Sequence, residues 1–269
     1  MTTRFQIDLA EYFMSRAVAF TNMGELDLAL TDYSTAIELD PTQVNAYQER
    51  GIIQTSLGRY AEAIADFNRA LELDPLFDAA HYRRGLTHTL IGQYAQALED
   101  LNFAIEMNPL YPQYYQQRAL AYAALGQHER AVLDLDQTLL LDVRDPLSLY
   151  YRARSQSAMG NFDRAISDLT YALALVPHDP AIYFERASNY YYRADYLRAL
   201  ADYEQAIRFE PAFAEAYAGL GATFLQVGHA QEALKSYRRY LELAGENADA
   251  RIQRLVVRLS EQQALRLQA

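Results

Sequence analysis

One phrase recurs along this chain at a fixed interval. GELDLALTDYSTAIELDP begins at Gly24, GRYAEAIADFNRALELDP at Gly58 and GQYAQALEDLNFAIEMNP at Gly92, each 34 residues after the last. A period of that length points to an array growing along one axis, each repeat burying its apolar face against its neighbours instead of in one shared core. With the recurring glycine set as position 15, it falls at Gly24, Gly58, Gly92, Gly126, Gly160 and Gly228, and Ala194 fills the gap. This places seven repeats at 10–43, 44–77, 78–111, 112–145, 146–179, 180–213 and 214–247, with a lead-in over 1–9 and a C-terminal helix over 248–269.

Each repeat reads as two helices. Apolar residues recur every three or four residues on both sides of position 15, the helical period. A glycine there lets the chain leave the first helix through a backbone conformation that other residues adopt only at a cost. Proline at position 32 (Pro41, Pro75, Pro109, Pro177, Pro211) stops the second helix, because it lacks an N–H and biases the preceding residue away from helical angles. Val143 and Gly245 depart from that rule. After Val143 the stop moves three residues on, where Asp145 can cap the next helix and Pro146 suits its first turn. Position 8 is always Gly or Ala (Ala17, Gly51, Gly85, Ala119, Ala153, Ala187, Gly221), and position 20 is always alanine. Such residues let helix backbones approach closely, while Phe67 or Leu71, at positions 24 and 28, fill the space around them.

The repeat length, the small residue at 8, Ala at 20, an aromatic or Leu at 24, Ala at 27 and Pro at 32 together resemble the tetratricopeptide repeat (TPR) family, over residues 10–247. The resemblance implies an all-α, right-handed α-solenoid of seven helix-turn-helix units plus a C-terminal capping helix, with first helices lining a concave groove. Aromatics at position 4 (Phe13, Tyr47, Tyr115, Tyr183, Tyr217) stand where the family often has Trp. The style "RG…LG.Y..A..D" is most similar to bacterial members, which implies a cytoplasmic location.

A second departure is at position 7, where the family usually has a leucine-like residue. Here stand Arg16, Arg50, Arg84, Arg118, Arg152 and Arg186, while position 23 carries Asp32, Asp66, Asp100, Asp134, Asp168 and Asp202. Both vanish together in the seventh repeat, as Leu220 and Ser236. Positions 7 and 23 each lie eight residues from the turn, so they stand at similar height in an antiparallel hairpin. A ladder of paired charges is therefore expected, in which each aspartate could also reach the next repeat's arginine. The competing reading is a row of arginines lining an anion site, but aspartate would then have no reason to track them.

Composition excludes several functions. The formal charge is −11, from 35 acidic against 24 basic residues, and Lys235 is the only lysine. Without a basic stripe to displace counterions, nucleic acid and anionic membranes are not expected partners. No apolar run approaches the ~20 residues needed to span a bilayer, and the opening MTTRFQIDLAEYF lacks the layout of a secretory signal. Zero cysteines exclude disulfides, thiolate metal sites and cysteine catalysis. His81, His88, His128, His178 and His229 fall at unrelated repeat positions, so no metal site emerges, and no Gly-rich phosphate loop ends in a lysine. His81 and His88 share a helix face without an acidic companion and read as packing residues. No cofactor and no enzymatic activity are expected.

Family ligands mostly touch positions 2, 5, 9, 12 and 13. The carboxylate clamp of chaperone-binding members needs Lys at 5 and Asn at 9; no repeat here has that pair, so an acidic C-terminal tail is not the expected ligand. Among these positions only Glu11, Arg154 and Glu215 are charged. Amides occupy one part of the expected groove (Gln48, Gln116) and aromatics another (Tyr82, Tyr150, Phe184, Tyr191, Tyr192), with Tyr151 and Arg154 alongside. In the run NYYYR successive tyrosines step ~100° around a helix, so Tyr190 is expected inward and Tyr191 and Tyr192 toward the groove. Rigid aromatics and a lone arginine are the residues that dominate interface energy.

The expected function is a non-catalytic scaffold or adaptor holding a peptide segment of a partner protein in this groove. The alternatives are a self-assembling module, dimeric or stacked end to end, and a peptide-sensing regulator. Regulators of that kind carry a DNA-binding head, for which the residues before the first repeat are too few. The helix after the seventh repeat has Ile252, Leu255, Val256 and Leu259 on one stripe, as a cap needs.

Overall fold

The computed structural model describes residues 4–268, with side chains through Ala264. The chain divides into two compact bodies, Met1–Leu141 and Asp142–Ala269. The first holds α1 (Arg4–Met23), α2 (Leu26–Leu39), α3 (Val44–Ser56), α4 (Tyr60–Leu73), α5 (Asp78–Leu90), α6 (Tyr94–Met107), α7 (Pro112–Ala124) and α8 (His128–Leu141). The second holds α9 (Pro146–Ala158), α10 (Phe162–Leu175), α11 (Pro180–Tyr192), α12 (Tyr196–Phe209), α13 (Ala214–Gln226), α14 (Ala230–Ala244) and α15 (Ala250–Gln268). No strand occurs among the described residues. In each body the helices pack as consecutive antiparallel hairpins, and each second helix also packs on the first helix of the next hairpin. First helices touch along a row, α3 to α5 to α7 in one body and α9 to α11 to α13 in the other. This is an α-solenoid.

The turns follow from the glycines. Gly24, Gly58, Gly92, Gly126, Gly160 and Gly228 adopt φ of 72–82°. Ala194, the one alanine among them, is held at φ 59°, a conformation that a Cβ makes costly. Second helices stop two residues before position 32, as at Leu39 before Pro41, except α14, which runs to Ala244 beside Gly245. Helices α9 and α11 begin with Pro146 and Pro180, and the preceding Asp145 and Asp179 each accept hydrogen bonds from two backbone N–H groups of the first turn. The first helix starts earlier than the lead-in over 1–9 implies: α1 already runs from Arg4.

The hairpin core is a small-against-large contact. Alanines at positions 8 and 20 are fully buried or nearly so, as are Tyr33, Phe67, Leu101, Leu135 and Leu169 at position 24. A Cβ added at Gly51 would stand 2.8 Å from the Phe67 ring, and one at Gly221 would stand 2.9 Å from Tyr237. Close approach, not a turn, thus demands those two glycines. At the end of the array Tyr240 replaces the usual small residue of position 27, and its hydroxyl accepts the Asp249 N–H at 2.8 Å, fixing the entry to α15. Helix α15 packs on α14, with Ile252, Leu255, Val256 and Leu259 half-buried and Arg251, Arg254 and Arg258 exposed.

Candidate functional site

Two networks remain once the packing is accounted for. The first joins the hairpins. In five repeats the guanidinium of position 7 donates through Nε and Nη2 to both oxygens of the aspartate at position 23, at 2.6–2.9 Å, in the pairs Arg50–Asp66, Arg84–Asp100, Arg118–Asp134, Arg152–Asp168 and Arg186–Asp202. Arg16 grips Asp32 the same way but is 42% exposed, against 17–23% for the other five. The link to the preceding repeat differs from the expected aspartate bridge. It runs from Nη1 to a neutral acceptor at position 25: Arg50 to Ser34, Arg84 to Asn68, Arg118 to Asn102 and Arg186 to Thr170, at 2.6–3.1 Å. Each aspartate is held edge-on by the Nε and Nη2 of its own arginine, which leaves the third nitrogen, Nη1, to reach the preceding repeat.

His81 does have an acidic companion, on the neighbouring helix, which one helix face could not reveal. Its Nδ1 stands 3.0 Å from Asp100 Oδ1 and its ring lies against Phe103. Burial pushes the Asp100 carboxyl up, and hydrogen bonds from Arg84 and His81 overcome it, holding the group below the ordinary carboxylate value.

The second network lies on the first helices. Gln48 and Gln116, on α3 and α7, are half-buried, and the Gln48 carbonyl oxygen is buried without a hydrogen-bond partner. Tyr82 packs on Tyr114 at 4.9 Å and against the cluster around Leu101, and burial raises its hydroxyl. Between α3 and α5, Ile52, Thr55, Leu86 and Leu90 line a small cavity of about 230 Å³ with Arg83 at its edge.

In the second body the aromatics separate into three groups. Phe184 packs inward on Tyr203 and Phe213, at 5.8 and 5.0 Å. Tyr150 and Tyr151 meet edge to face, with Arg154 over the Tyr150 ring. Arg154, 56% exposed, reaches Glu185 at 3.5 Å. Burial raises the Glu185 carboxyl, against the pull of Arg154 and a hydrogen bond from Tyr150. Tyr191 and Tyr192 form the third group with Phe162, from the preceding hairpin. Tyr192 stacks on Phe162 at 5.4 Å and 16° while remaining 65% exposed, and Tyr191 meets Tyr192 edge to face at 5.8 Å. The adjacent Arg193–Asp163 ion pair, at 2.6 Å, ties the same two segments together. Tyr190, expected inward, and Tyr191, expected toward the groove, are both half-buried and both pack on the cluster around Ala199 and Tyr203. Tyr190 also stands beside Arg186 and Arg198, and Tyr191 beside Tyr196, so of the three tyrosines only Tyr192 is exposed.

Sequence reasoning missed three contributors to this face. Phe162 lies just past a turn, where packing to the next hairpin is not visible in one repeat. Glu185 and Arg83 occupy position 6, outside the positions considered, so the first helices of each body carry more charge than those positions alone suggest. In the second body that charge is an Arg154–Glu185 pair, which cancels.

Family models described as tetratricopeptide repeat match residues 44–77, 82–147, 150–188 and 214–247, and one described as TPR repeat matches 18–57 and 187–228. No curated protein sequence matches the chain. Among solved structures, a tetratricopeptide repeat protein from Parabacteroides merdae superposes with a TM-score of 0.69 at 22% identity, covering 94% of this chain and 99% of that one. YrrB, described as a TPR protein with an unusual peptide-binding site, gives 0.59 at 20% identity over 68% and 95% of the two chains. A chain of the APC/C hetero-tetramer Cut9–Hcn1 gives 0.69 at 17% identity, covering 94% of this chain and 54% of that one. With the 34-residue period, the hairpin stack and these matches in hand, the chain belongs to the tetratricopeptide repeat family.

Proposed function

We propose that this protein is a non-catalytic scaffold that holds an extended or helical peptide segment of a partner protein along its first helices, with α9 and α11 supplying the main anchor. The observation that carries this reading is the Tyr192 ring, stacked on Phe162 and still 65% exposed. A large ring held rigid by a second ring offers apolar area without the entropy cost of ordering it on binding. Glu185 lies two turns before Tyr192 on α11, and with Arg154, which reaches it from α9, it can orient a peptide backbone or polar side chain. The amides of Gln48 and Gln116 and the cavity beside Ile52 and Leu86 offer similar chemistry in the first body. YrrB, of the same fold, is described as binding peptide.

The test is a peptide selected from a random library against the whole protein. Its affinity for the Tyr191→Ala/Tyr192→Ala variant is expected to fall ~10–100-fold, with helicity retained and the thermal midpoint lowered only by the lost packing of Tyr191 on the Tyr203 cluster. Equal affinity for both proteins would remove this face as the site.

A further inference from the structure

The seventh repeat keeps the setting of the position-7 arginine without the arginine. In the first, fourth and sixth repeats that guanidinium lies between two rings of its own helix, three residues before it and four after. Arg16 has Phe13 and Phe20, Arg118 has Tyr115 and Tyr122, and Arg186 has Tyr183 and Tyr190, with Cζ 5.0–5.9 Å from each centroid. Helix α13 retains both rings, Tyr217 and Phe224, around Leu220. Where the first, second, third and fifth repeats offer a neutral acceptor (Ser34, Asn68, Asn102, Thr170), α12 offers a carboxylate, Glu204, as the fourth repeat does with Asp136. Glu204 is exposed and has no ion-pair partner among the described residues. Leu220 and Ser236 are too short to fill the space that an Arg–Asp pair fills elsewhere. A cavity of about 770 Å³ opens there, lined by Glu204, Tyr217, Leu220, Phe224, Lys235 and Ser236 among others. That size lies within the ~300–1,000 Å³ range of ligand pockets.

We propose that this cavity binds an arginine side chain presented by a partner polypeptide. Two rings spaced to bracket a guanidinium supply cation–π attraction, and Glu204 supplies the opposite charge. The net charge of −11 attracts a basic partner. The chain's own neighbouring cations are otherwise engaged. Arg239, which also lines the cavity, pairs with Glu242 at 2.8 Å and reaches the Tyr217 hydroxyl. Arg69 likewise pairs with Glu72 at 2.7 Å and reaches the Tyr47 hydroxyl in the second repeat, where Arg50 nonetheless fills the position, so Arg239 is not a stand-in for the missing arginine. Arg238 donates to Ser260 at 3.0 Å. Lys235, exposed at the rim, carries a compact, strongly hydrated ammonium without the planar fork that fits between rings. The site does not involve Tyr191 or Tyr192, so it stands or falls independently of the peptide-binding face.

The experiment titrates the full chain with the blocked tripeptide acetyl-Ala-Arg-Ala-amide, and with its citrulline and lysine counterparts, following ring resonances of Tyr217 and Phe224. Saturable binding of the arginine peptide is expected, at least ~10-fold tighter than that of the citrulline peptide. Glu204→Gln, an exposed change that leaves the fold intact, should weaken it by a similar factor. Leu220→Arg with Ser236→Asp should abolish it by filling the cavity from within. No saturable binding, equal binding of citrulline, an unchanged affinity in Glu204→Gln, or a preference for free arginine over the blocked peptide would each overturn the proposal.

Discussion

Replacing Arg118 with alanine is expected to lower the unfolding free energy of the first body by ~2–4 kcal/mol. The substitution strips Asp134, itself 5% exposed, of both its charged hydrogen bonds and leaves the Asn102 amide oxygen without its donor. Breaking a buried ion pair costs ~3–5 kcal/mol; the lower figure allows for the fifth of the arginine that reaches solvent. The guanidinium also lies against Tyr115 and Tyr122, so the loss includes packing as well as charge. Arg84→Ala should cost less, because His81 still holds Asp100. Glu62→Ala, on an exposed second-helix position, should fall within ~0.5 kcal/mol of wild type. Denaturant midpoints with an unchanged slope are the measurement. Equal, negligible losses at Arg118 and Glu62 would show that the ladder contributes no stability.

Phe67→Ala should be costlier still, at ~3–5 kcal/mol. The ring is fully buried, and its neighbour across the hairpin is Gly51, which has no side chain to move into the hole. The loss should remain local, because each hairpin contacts only its neighbours. Amide exchange in α3 and α4 should accelerate more than in α7 and α8. The reciprocal change is informative too. Gly51→Ala drives a Cβ to 2.8 Å from the ring and should cost ~1–3 kcal/mol on its own. Combining it with Phe67→Leu recreates the pairs already present as Ala119/Leu135 and Ala153/Leu169, so the double change should cost less than the sum of the two. Strict additivity would mean that positions 8 and 24 do not meet as described.

The hairpin stack was legible because its causes repeat. Glycine at 15, alanine at 20 and proline at 32 each act through backbone geometry that one repeat already contains. Legibility faded wherever the cause lay in another repeat. The acceptors at position 25 (Ser34, Asn68, Asn102, Thr170) share only the ability to receive a hydrogen bond, so no single letter marks them. His81 finds Asp100 across a helix boundary that a one-helix wheel does not show. The aromatic residues were the hardest to sort. Tyr82 and Phe184 occupy the same groove position, yet both pack between hairpins, because neighbouring rings at Tyr114 and Phe213 come within reach. Tyr192, beside a turn, has Phe162 beneath it and solvent above. Spacing alone does not distinguish those two fates; the size of the residue opposite does.

A partner's chain is expected to lie against the exposed Tyr192 ring of α11. A photo-crosslinking amino acid at position 192, compared with one at Tyr171, an exposed tyrosine on second helix α10, tests this with a library-selected peptide. Crosslinks at 192 and none at 171 are the predicted outcome. Crosslinking at 171 with none at 192 would place the peptide on the second helices and contradict the proposed mode of binding.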